Sequence, residues 1–170
     1  MSDTPPHAPF QRLSDIVETG LCMGCGLCQM IAGPDRIAFT TTPDGRQRPM
    51  EGAPIEPTDW DMIARTCPGI NVSAAPDDGT VGVDPVWGPV DHVVLGHASD
   101  PDTRFRAAGG GALTALAASL VASDMVDFVM QVKADASAPM RTETVRSRSV
   151  DEVIRASGSR YGPSSPLDSV

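Results

Sequence analysis

Aromatic residues are scarce in this sequence. Phe, Trp and Tyr make up 4% of the 170 residues, and Tyr161 is the only tyrosine. Stacking platforms for nucleic-acid bases are therefore missing. Positive charge is short as well: 13 Lys and Arg stand against 22 Asp and Glu, a formal net charge of −9, and Lys133 is the only lysine. Nucleic-acid binding depends on Lys and Arg neutralising phosphates, so this balance argues against it. The N-terminus, "MSDTPPHAPFQRL", lacks the basic region and apolar run of a secretory signal. Long hydrophobic runs are absent too. The most apolar stretch, Ala107–Ala122, is broken by three glycines, a Thr and a Ser, whereas a membrane span needs about 20 predominantly apolar residues. It reads as a buried helix. Together these absences predict a cytoplasmic protein without membrane insertion.

Cysteine is rare but concentrated. Three of the four fall in "CMGCGLC" at Cys22, Cys25 and Cys28, and the fourth, Cys67, lies in "TCPG". In a reducing compartment, clustered cysteines point to metal or redox chemistry and not to disulfides. Three thiolates at C-x2-C-x2-C can wrap one corner of a [4Fe–4S] cube, with Gly24 and Gly26 giving the backbone freedom to turn. Bacterial ferredoxins take a further thiolate from a remote Cys-Pro, and Cys67-Pro68 has that form. The four cysteines suffice for one such cluster. The competing reading is structural zinc, which usually combines two pairs of Cys or Cys and His. The tight run of three is unusual for zinc, and His7, His92 and His97 have no ligand-like spacing to it.

The chain divides by pattern. Residues 1–13 are a Pro-rich tail, and residues 14–75 hold the cysteines. A short helix opened by Ser14 and closed by Gly20 is expected before the cysteine run. A hairpin is expected over 37–49, turning at Asp44-Gly45. A helix capped by Thr58 with Asp61 should stop at Pro68 and Gly69, just past Cys67. Residues 76–90, rich in Gly, Pro and Asp, read as a linker. An α/β segment follows over 91–170: a strand at 92–98, an apolar helix over 110–122, strands at 127–134 and 142–148, and a short amphipathic helix in "SVDEVIRAS" (149–157) capped by Ser149 with Glu152.

Two polar motifs lie in that second segment. "RFRAAGGGALTAL" enters a helix through Gly109, Gly110 and Gly111. Free amides at such a start attract an anion, and glycines there also permit close packing. The motif is neither the dinucleotide fingerprint nor a P-loop. "ASGSRYGPSSP" gathers hydroxyls and Arg160 in a loop suited either to phosphate and ribose or to a solvated turn.

In this order, the motifs resemble the N-terminal half of the coenzyme F420 hydrogenase/dehydrogenase beta subunit family. "CMGCGLC", "RIAFTTTPDGRQRP" and "CPG" are similar to its iron–sulfur segment. "VWGPVDHVVLGHASDPDTRFRAAGGGALTAL" is similar to the start of its flavin-binding segment, and "SVDEVIRASGSRYGPS" to its Gly-Ser-Lys/Arg-Tyr segment. The resemblance implies an α+β protein: a small ferredoxin-like iron–sulfur segment followed by an incomplete α/β flavin-binding domain. It implies a [4Fe–4S] cluster at Cys22, Cys25, Cys28 and Cys67. It also implies FAD near Gly109, Gly110, Gly111, Thr114, Ser159, Arg160, Tyr161 and Ser164, with the deazaflavin coenzyme F420 as a candidate substrate. Gly109 stands where the family usually has Ser, which removes one hydroxyl contact. Family members are longer, so the chain is expected to be a fragment that binds flavin fully only when extended.

The function expected is an oxidoreductase subunit passing electrons between the cluster and FAD, with a redox partner protein and a small-molecule donor or acceptor. No side chain stands out as a catalytic acid or base. The alternative is a ferredoxin-like electron carrier or docking module without catalysis, whose acidic surface would meet a basic partner.

Overall fold

The computed structural model describes residues 10–72 and 82–168. The tail over residues 1–9 and part of the expected linker lie outside the described residues.

The first half is built on one apolar cluster. Helix α1 (Leu13–Glu18) buries Leu13 and Ile16, while helix α2 (Leu27–Ala32) buries Ala32. Strand β1 (Ile37–Thr41) contributes Ile37, and helix α3 (Pro57–Thr66) contributes Ile63. These residues form a single core with Cys22, Cys28 and Cys67 packed against its edge. β1 pairs antiparallel with β2 (Gln47–Glu51), from Ile37 opposite Glu51 to Thr41 opposite Gln47. The Asp44-Gly45 turn forms as expected: Gly45 takes φ +81, and the Thr42 amide donates to the Arg46 carbonyl at 2.8 Å.

The helix starts differ from expectation. Ser14 lies inside α1, and Arg12 is the cap position. The Asp15 carboxylate, one turn in, accepts the Gln11 and Arg12 amides at 2.9 and 3.1 Å. That acceptor replaces the missing serine cap. Helix α3 starts at Pro57 with Glu56 as cap, so Thr58 and Asp61 fall within the helix. Proline at the first helical position has a preset φ and no amide to leave unpaired. Cys67 closes this helix, its amide donating to the Ile63 carbonyl at 2.8 Å.

Residues 82–90, expected as linker, form a small hairpin of β3 (Gly82–Asp84) and β4 (Gly88–Val90). The Asp84 carboxylate accepts the Val86 and Trp87 amides and holds its turn.

The second half departs further. The strand expected at 92–98 is not one: those residues are outside any ladder, and Val93, Val94 and Leu95 are fully exposed. Period and composition marked a strand, but a strand exists only where another backbone pairs with it. Helix α4 (Pro101–Arg106) was not anticipated. Asp100 caps it, accepting the Thr103 amide at 2.7 Å, and Pro101 takes the first position. Helix α5 (Ala112–Ala122) is shorter than expected, because Gly109–Gly111 form a tight 3-10 turn before it. It is not fully buried, since Leu113 and Leu116 face solvent.

Strands β5 (Val129–Ala134) and β6 (Thr142–Ser147) pair antiparallel, with Val129 opposite Ser147. Helix α6 (Val150–Arg155) buries Val153 completely. Its capping box forms as read: the Ser149 hydroxyl accepts the Glu152 amide, and the Glu152 carboxylate accepts the Arg148 amide. All three sheets among the described residues are two-stranded and antiparallel. The content is therefore α+β, and the expected α/β arrangement of the second half is not what the described residues form. A single hairpin joined by the Asp135–Arg141 turn suffices for β5 and β6, whereas parallel strands need a crossover.

Candidate functional site

The four cysteines come together. Cys22, Cys25, Cys28 and Cys67 all line one cavity, with Leu13, Ile16 and Phe39 among its apolar walls. One run leading from α1 into α2 and the end of α3 bring them there. Cys22 follows α1, where its amide and that of Leu21 donate to the Ile16 carbonyl at 3.2 and 3.1 Å. Cys28 sits in the first turn of α2. Cys67 ends α3, and its carbonyl accepts the Ile70 and Asn71 amides, each at 2.9 Å, so the Cys-Pro-Gly turn folds back on the core.

The glycines between the cysteines serve close approach as well as flexibility. Gly24 and Gly26 take φ +76 and +91. A Cβ on Gly24 would stand 2.5 Å from the Gln47 carbonyl oxygen, and one on Gly26 would stand 2.9 Å from the Asp168 Cα. Strand β2 and the end of the described chain therefore press directly on the loop's backbone.

No charged side chain lines this cavity. Burial pushes the Cys28 thiol up to about 12, opposed by a hydrogen bond from the Gln29 amide and reinforced by the neighbouring cysteines. Burial also raises Cys67. All four thiols are free. Among the described residues, no group of three or more His, Cys, Asp or Glu side chains could hold a metal ion as they stand. Four soft donors around an uncharged, partly buried pocket fit an iron–sulfur cluster, whose thiolates bind separate corners.

The candidate flavin residues are more scattered. Gly109, Gly110 and Gly111 take φ +59, +68 and +75. A Cβ on Gly110 would meet the His97 Cβ at 3.1 Å, and one on Gly111 the Thr103 carbonyl oxygen at 2.8 Å. The Gly110 carbonyl accepts the Ala98 amide at 2.8 Å. Two of the three glycines are thus required for packing, while the space beside Gly109 is open. Thr114 is buried in α5.

Ser159, Arg160 and Tyr161 lie on an exposed loop, with Tyr161 at 96% relative exposure. Arg160 donates to the Pro139 and Arg141 carbonyls at 2.8 and 3.2 Å, tying its loop to the β5–β6 turn. Ser164 lines a separate polar cavity of about 240 Å³ with Phe39, Gln47, Thr142, Thr144 and Asp168. Phe39 thus borders both this cavity and the cysteine cavity. That neighbourhood joins the two halves of the chain, and nothing in the local sequence pattern signalled it.

The site defined by these residues is a sulfur-lined centre at the edge of a small apolar core, with the end of the described chain bonded to its cysteine loop. Residues 93–170 match the family described as coenzyme F420 hydrogenase/dehydrogenase, beta subunit, N-terminal. Over those residues the resemblance read from the sequence is shown, and the match lies wholly beyond the four cysteines. No curated protein matches the chain. Among the described residues, no helix is long and apolar enough to cross a membrane.

Proposed function

We propose that this chain is part of an iron–sulfur flavoprotein oxidoreductase of the F420 hydrogenase/dehydrogenase beta-subunit kind. In this reading Cys22, Cys25, Cys28 and Cys67 hold a [4Fe–4S] cluster, and the second half contributes to an FAD site. The reading rests on one observation above the others: the four thiols, three from one short run and one from the end of α3, line a single uncharged cavity. The match of residues 93–170 supplies the redox context.

When bound, the two cofactors would convert between paired-electron hydride chemistry and single-electron transfer. The chain's own residues do the rest. Leu13, Ile16 and Phe39 keep water from the sulfurs, and the glycines let β2 close over them. The turn at Gly109 offers open backbone where a phosphate could approach. Ser159, Arg160, Tyr161 and Ser164 would complete the flavin contacts. Coenzyme F420 is the proposed small-molecule partner, and the acidic chain would dock a basic redox protein.

A second reading is favoured by the scatter of the flavin candidates. Because Tyr161 and its neighbours stand in solvent, this chain by itself could act as an electron carrier without flavin. Anaerobic reconstitution followed by gel filtration separates the readings. Iron with retained FAD supports the oxidoreductase; iron without FAD, also in a longer chain, supports the carrier. Stoichiometric zinc and no iron would overturn both.

A further inference from the structure

The end of the described chain is built onto the cysteine loop. Ser165, Pro166, Leu167 and Asp168 form a β-turn closed by the Asp168 amide donating to the Ser165 carbonyl at 3.1 Å. Pro166 stands at the second position, where its fixed φ suits such a turn. The turn leaves the Leu167 amide free to point elsewhere, and it donates to the Cys25 carbonyl at 2.9 Å. The Gln29 side-chain amide, one residue past Cys28, donates to the Asp168 carbonyl at 3.2 Å. Between these two bonds lies Gly26, whose missing side chain makes room for the Leu167–Asp168 backbone. Ser165 is buried, and among the described residues its hydroxyl has no partner.

Here a preformed turn, two hydrogen bonds and a glycine-sized gap coincide on the loop carrying Cys25 and Cys28. We propose that Ser165–Asp168 is a strap belonging to the cysteine centre, with Leu167 and Gln29 as positioning residues that hold this loop. The strap fixes the Cys25–Cys28 backbone. It also ties the family-matched half of the chain to a site whose cysteines lie entirely in the other half. The role in tuning a cluster rests on the iron–sulfur reading above; the strap itself does not.

The test compares the full chain with Gln29→Leu, which keeps the shape but removes the donor, and with a chain ending at Gly162. In the reconstituted protein, iron release to a chelator should quicken about fivefold in Gln29→Leu, the equivalent of one ordinary hydrogen bond. It should be faster again in the shortened chain, and the midpoint potential of the centre should shift in both. Unchanged release rates and potentials overturn the proposal. The metal-free protein gives a separate readout. There, alkylation of Cys25 by iodoacetamide should be faster in both variants than in the full chain. Equal rates overturn the strap even if the chain takes up iron, and faster rates support it even if the chain takes up none. Should the shortened chain fail to fold, Gln29→Leu alone carries the comparison.

Discussion

Cys25 and Leu167 are joined backbone to backbone: the Leu167 amide donates to the Cys25 carbonyl at 2.9 Å. One partner lies in the tightest cysteine motif of the sequence and the other near its C-terminal end. The contact is possible because Gly26, beside Cys25, has no side chain to hold Asp168 away.

Gly26 sits in the left-handed region, with φ +91 and ψ −8. Alanine there should incur the left-handed penalty of roughly 1–2 kcal/mol, and the new Cβ would also collide with Leu167 and Asp168. Gly26→Ala should therefore destabilise by more than that penalty, as denaturant unfolding of the metal-free chain will register. A loss within the penalty alone would mean that the contact contributes nothing.

Replacing Cys67 with serine should remove bound iron as fully as replacing Cys25, because each contributes a sulfur to the same cavity. Iron and acid-labile sulfide, assayed after anaerobic reconstitution, give the answer. A Cys67→Ser protein with a normal complement of both would show that some other group completes the site.

Ile37 is completely buried at the centre of the first core. Ile37→Ala should cost about 2–5 kcal/mol, the range for truncating a buried aliphatic chain. The cysteines pack against this core, so iron uptake should fall with stability. Chemical denaturation and iron content, measured on one preparation, test both halves of the statement.

The metal-free chain should weaken in alkali. Burial raises Cys28 from an ordinary 9.0 to about 12, so the folded state keeps a proton that the unfolded chain releases. That contribution is complete below 9.0 and is lost as pH rises from there through about 12. Thermal denaturation midpoints should fall over this window, and less steeply for Cys28→Val. Parallel curves for the two proteins would remove Cys28 as the cause.

In the glycine turn, Gly111→Ala should destabilise more than Gly109→Ala. Both have positive φ, but only at Gly111 would the Cβ press on the Thr103 carbonyl. If FAD binds there, Gly109→Val should weaken flavin retention more than Gly109→Ala, which also carries the strain of a side chain at φ +59. Flavin retained normally by Gly109→Val would assign the turn to packing alone.

Local chemistry was legible in the sequence. The C-x2-C-x2-C run with Cys-Pro marked four sulfurs that do share one cavity, and Asp44-Gly45 and Ser149 with Glu152 formed the turn and cap they spell. These features are decided within a few residues, by φ preferences and by acceptors that reach nearby amides. The apolar run at Val93–Leu95 was misread because a strand needs a partner that residue preferences cannot supply, and these residues are exposed outside any ladder. The same limit hid the strap. Nothing in "SSPLD" announces a contact with "CGLCQ"; only the folded chain brings the Leu167 amide to the Cys25 carbonyl. The sequence by itself determined which sulfurs and which turns this protein has. Tertiary structure alone decided what lies against them, because backbone hydrogen bonds between distant segments use groups that every residue carries and so leave no mark in the order of side chains.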